Sequence, residues 1–76
     1  MSGLQLRAVN PQVWAVHRAD GLHLGNLKLI GGLWKFKALG YEPDGAIVPG
    51  GGPCTQHHNA CFNSPDAAAV SARLQF

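Results

Sequence analysis

Carboxylates are scarce in this chain: Asp20, Glu42, Asp44 and Asp66 are all it has, against six Lys and Arg. All four sit beside Gly or Pro, three of them in turn or cap contexts. No two are placed as the paired acid and base of carboxylate chemistry. Charge is sparse altogether, at 13% of residues, while hydrophobic residues reach 46%. That balance excludes a disordered chain. The two cysteines, Cys54 and Cys61, exclude a disulfide-dense scaffold. Missing too is any apolar run near the roughly 20 residues that span a bilayer. Met1 to Pro11 holds no basic segment followed by an apolar one, so no signal peptide is expected. The expected location is therefore cytoplasmic, with both cysteines as thiols and no membrane partner. The formal charge of +2 is mild and neither demands nor excludes a polyanionic partner.

Residues 1–76 leave room for one small domain. Turn signals divide it. Asp20-Gly21 follows 13–18, Gly31-Gly32 separates 22–30 from 33–41, and Pro43-Asp44-Gly45 leads into 46–49. Asp-Gly and Gly-Gly reach the positive φ that two-residue hairpins require, and Pro-Asp-Gly suits a type I turn closed by a left-handed glycine. The expectation is an α+β fold: an antiparallel β-meander of three to four strands with one C-terminal helix packed on one face. With Gly31-Gly32 as the turn, Ile30 faces Leu33, Leu29 faces Trp34, Lys28 faces Lys35 and Leu27 faces Phe36. With Asp20-Gly21 as the turn before it, Trp14 faces Leu27 and Val16 faces Gly25. One face then collects Trp14, Val16, Leu27, Leu29, Trp34, Phe36 and Ala38, as the period of two demands of a half-buried sheet.

The segment 65–74 reads as the helix. Ser64 suits the N-cap, Pro65 the first helical position, and Asp66 complements the helix dipole. Ala67, Val70, Ser71 and Leu74 recur at helical spacing. It is the only element expected to cover the apolar face, with an irregular loop over 50–63 in between.

Two motifs in that loop could carry chemistry. Cys54, His57, His58 and Cys61 place four zinc-type ligands within eight residues, in two pairs each spaced by two. Zinc sites normally draw their ligands from two separated elements, and nothing elsewhere in the chain supplies a second half. The competing expectation is no cofactor: a buried cysteine, a hydrogen-bonded histidine and solvated neighbours. Gly50-Gly51-Gly52, between two prolines, could cradle an anion with successive N–H groups, with His58 and Asn59 nearby. It lacks the Lys-Ser/Thr of a phosphate-binding loop, so close passage along other backbone is the competing reading. Neighbouring Cys and His seldom achieve the geometry of an activated nucleophile, so no catalytic residue is assigned.

The sheet's other face carries Val13, Ala15, His17, Leu24, Asn26, Lys28, Lys35, Lys37, Leu39 and Tyr41. It mixes a basic cluster with apolar and aromatic groups, which a purely solvated face would not. Along Gly25-Asn26-Leu27-Lys28, then Gly31 to Ala38, Pro49 to Pro53 and His58-Asn59, the chain resembles short bacterial single-domain proteins with no activity attached to them. The resemblance implies a self-contained domain and carries no functional residue over. The functional expectation is a non-enzymatic binding module working through Lys28, Lys35, Lys37, His17, Leu24, Leu39 and Tyr41. A protein partner or self-association is favoured over nucleic acid. The alternatives are a metal-binding or catalytic loop at 54–61 and a weak nucleic-acid binder.

Overall fold

A computed structural model describes residues 3–75. The chain forms a six-stranded antiparallel sheet and one C-terminal helix, an α+β fold as expected. The strands are β1 Leu4–Asn10, β2 Val13–Arg18, β3 His23–Ile30, β4 Leu33–Tyr41, β5 Ile47–Pro49 and β6 Cys61–Phe62, followed by helix α1 Ala67–Leu74. The spatial order β1-β2-β3-β4-β5 is a meander, with β6 added beside β4. Among the described residues, no helix is long and apolar enough to cross a membrane.

The central hairpin has the expected register. Ile30 pairs with Leu33, Leu29 with Trp34, Lys28 with Lys35 and Leu27 with Phe36. Gly31 and Gly32 make the turn at φ 59° and 82°, both in the left-handed region that favours glycine.

The β2–β3 hairpin differs. Trp14 faces Leu27 and Val16 faces Gly25 as expected, but His17 then pairs with His23, one residue out of step. The turn is not the two-residue Asp20-Gly21 connection. Arg18 N–H donates to Leu22 O (2.8 Å) and Gly21 N–H to Arg18 O (2.8 Å), so the loop is one residue longer. Asp20 fastens it, accepting from Arg18 Nε (2.9 Å) and Nη2 (2.5 Å) and from Leu22 N–H. The extra residue is absorbed as a β-bulge at Leu24. A bulge changes which face the following side chains take. Leu24, expected on the open face, is therefore turned inward and has no exposure at all. His23 takes its place outside.

Two strands lie beyond the expected meander. β1 pairs with β2 from Leu4 opposite Arg18 to Ala8 opposite Trp14. Asn10 accepts from Gln12 N–H at the connecting turn. The far edge of β4 is closed in tandem: Tyr41 to Leu39 pair with Ile47 to Pro49, and Trp34 and Lys35 with Phe62 and Cys61.

Helix α1 starts later than the sequence implies. Asp66, not Ser64, is the N-cap, its carboxylate accepting from Ala68 N–H (3.0 Å), and Pro65 lies before the helix. Asp66 wins because a side-chain acceptor two residues before the donor satisfies an end N–H that Ser64 cannot reach. Val70 and Leu74 point into the core beside Leu4, and Ser71 Oγ accepts from Leu4 N–H (3.1 Å), tying α1 to the start of β1. Eight residues cannot cover the whole apolar face. Cys54 and Ala60 of the connecting loop, with Phe62 packed beside them, cover the rest. The core is Val16, Leu24, Leu27, Phe36 and Ala38 under these covers, and among the described residues it buries no polar or charged side chain.

Candidate functional site

Two glycine amides of the connecting loop are taken up within the fold. Gly50 N–H donates to Ala38 O (2.7 Å) and Gly51 N–H to Val48 O (3.1 Å), so these amides do not converge on an outside anion. The glycines serve close passage instead. A Cβ on Gly40 would lie 2.6 Å from Gly52 N, and one on Gly52 would lie 2.2 Å from Leu39 O. Only two bare backbones can cross at that distance.

His58 completes the same edge. Its Nδ1 accepts from Ala38 N–H (3.0 Å), a β4 donor that no strand reaches between β5 and β6. Asn59 N–H donates to Phe36 O (2.7 Å) and Phe36 N–H to Ala60 O (2.8 Å), so the loop continues the ladder. An imidazole replaces a backbone carbonyl there, and this requires Nδ1 to be free of a proton.

The four possible metal ligands are not brought together. Cys54 belongs to the core, where burial raises its thiol pKa, whereas Cys61 is exposed beside Lys35. His58 is turned to the β4 edge, and His57 Nε2 is buried without a hydrogen-bond partner. Among the described residues, no three His, Cys, Asp or Glu side chains are grouped to hold an ion. Cys54 and Cys61 are both free thiols.

The open face of the sheet is where charge gathers. Strand alternation and pairing lay it out in cross-strand rows. One row runs Arg7, Ala15, Asn26, Lys37, and the next runs Val13, Lys28, Lys35, Cys61. Lys37 Nζ donates to Asn59 Oδ1, which steadies its ammonium group at the β4 edge. Arg7, Lys28, Lys35 and Lys37 make four of the chain's six Lys and Arg. All four acidic residues lie outside the strands: Asp20, Glu42 and Asp44 in hairpin turns and Asp66 at the helix cap. The face is cationic because every carboxylate has been used elsewhere, in turns and at the cap.

A third row holds Gln5, His17 and His23. The two imidazoles stack with centroids 4.7 Å apart and planes inclined by 21°. His23 is held at both nitrogens: Nε2–H donates to Asn26 Oδ1 (3.0 Å), and Nδ1 shares a hydrogen bond with the Tyr41 hydroxyl (2.8 Å). The pKa of His17 is lowered, first by partial burial and then by the neighbouring charges of His23 and Arg7. Its charged form is therefore disfavoured. Leu39 is half-buried and Tyr41 is 46% exposed.

The chain matches no known protein-family model, curated protein or solved structure. The expected lysines and His17 stand on one surface together with Leu39 and Tyr41; Leu24 does not join them. Gln5, Arg7 and His23 are additional. Gln5 and Arg7 were legible, since Leu4-Gln5-Leu6-Arg7 alternates and Asn10-Pro11-Gln12 is a turn signal. His23 was legible in a subtler way. Apolar residues fall on even positions at Leu22 and Leu24 but on odd ones at Leu27 and Leu29, and such a change of parity marks a bulge.

Proposed function

We propose that this protein is a small non-enzymatic binding module whose open sheet face holds an extended polyanion. The observation that supports it is the segregation of charge: four cations on one sheet face, with every carboxylate outside the strands. Lys28 directly opposite Lys35 is a like-charge pair that weakens the hairpin by up to about 1 kcal/mol. An anion lying across both turns that repulsion into attraction. Self-association through this face would instead bring two sets of cations together, which disfavours it. The partner preference read from the sequence, protein ahead of nucleic acid, is thus replaced by one for repeated negative charge.

Anisotropy titrations of labelled oligothymidylate and inorganic polyphosphate test the reading. With Arg7, Lys28, Lys35 and Lys37 each meeting one phosphate, affinity for the single strand falls about 50-fold between 50 and 200 mM salt. Replacing Lys28, Lys35 and Lys37 together by Gln removes most of that dependence. Binding that ignores salt, or no binding of either polyanion at low salt, would end the proposal.

A further inference from the structure

Beside His17 lies a cleft of about 500 Å³, open to solvent and lined by Gln5, Leu6, Arg7, His17 and Gly21. That volume lies within the range of small-ligand clefts. One wall is an aromatic ring already held in place, because His17 stacks on His23, and His23 is pinned by Asn26 and Tyr41. The ring face of His17 away from His23 is directed to the β1 side, where Gln5 is its cross-strand partner. Arg7 stands one pleat further along β1, at the start of the row that leads across to Lys37.

We infer that this cleft takes one unstacked base of a single-stranded nucleic acid, whose backbone then runs over the cationic rows. The inference rests on the polyanion reading and names the polyanion. Bases stack on aromatic faces with little regard to sequence, and a ring whose orientation is already fixed loses little entropy on being stacked upon. Gln5 offers a donor and an acceptor to a base edge, and Arg7 a forked donor to the adjoining phosphate. His17, whose charged form is disfavoured by partial burial and by His23 and Arg7, presents a π face there. A polyanion without bases would use the rows of cations and leave the cleft empty. Double-stranded nucleic acid keeps its bases paired and cannot fill it.

The test compares a short oligothymidylate with an abasic oligomer of equal length and charge, and with inorganic polyphosphate. The thymidylate should bind about tenfold more tightly than the abasic chain, the gain expected of one stacked base. In His17→Ala that ratio should fall to near one, whereas His17→Phe, which keeps an aromatic face, should preserve it. Arg7→Gln should lessen the salt dependence while the preference for bases persists. Ring-proton resonances of His17 should move upfield with thymidylate and not with the abasic chain. Equal affinity for the two oligomers, or a ratio untouched by His17→Ala, overturns the inference and leaves polyanion binding standing. If neither the oligomers nor polyphosphate bind at low salt, both readings fall.

Discussion

Removing the Leu24 side chain is the sharpest check on the bulge that organises this sheet. Simple strand alternation, with Asp20-Gly21 as a two-residue turn, puts Leu24 outside among the lysines. The observed register puts it inside with no exposure, among Val16, Leu27 and Phe36. Leu24→Ala leaves a cavity beneath the sheet, and such buried truncations cost about 2–5 kcal/mol. A domain of this length has a total stability of about 4–11 kcal/mol. The variant should thus lose a large share of it, with the melting temperature falling by roughly 12–24 °C for a loss of about 3 kcal/mol. Leu39→Ala, on the half-buried open face, should cost about 1 kcal/mol or less. Urea titration followed by tryptophan fluorescence, Trp14 and Trp34 both packing against the core, reads both variants on one scale. A Leu24→Ala protein within about 0.5 kcal/mol of the parent would refute the inward placement, and with it the bulge.

The same structure sets further expectations. His58→Ala should cost about 1–3 kcal/mol by chemical denaturation, because the Ala38 N–H loses its acceptor; His58→Asn, which offers a side-chain oxygen, should recover part of it. Gly25→Ala should destabilise the fold, since the new Cβ would lie 2.5 Å from Lys37 O and 2.7 Å from the Phe36 ring; thermal melting would show it, and an unchanged melting point would refute the packing. The lowered pKa of His17 means that the folded state takes up its proton later than the unfolded chain does. Stability should therefore be fully present above the unfolded pKa and decline as pH falls below about 6.5, and His17→Phe should flatten that part of the pH–stability curve. A thiol reagent should modify Cys61 promptly and Cys54 only at the rate of unfolding; two equally fast thiols would contradict the burial of Cys54.

Local sequence determined the meander and its central hairpin. Gly31-Gly32 allow few turn geometries, and the alternation of Leu27, Leu29, Trp34 and Phe36 fits one register, because a slip of one residue would bury lysines. The same parity placed Lys28, Lys35 and Lys37 together on the open face. What tertiary structure alone decided has a common cause: it depends on contacts between residues far apart in the chain. Whether the Asp20 turn closes in two residues or three is settled by the core, which takes Leu24 in with Phe36 and Val70. The glycine run looks the same in sequence whether it cradles an anion or crosses β4, and only the approach of Gly52 to Gly40 distinguishes the two. Cys54, His57, His58 and Cys61 have the spacing of metal ligands, yet the ladder claims His58 and the core claims Cys54. The cationic face with which the charge count first stood in tension, at a net of only +2, exists because folding sends every carboxylate to a turn or a cap and four cations to one side of the sheet.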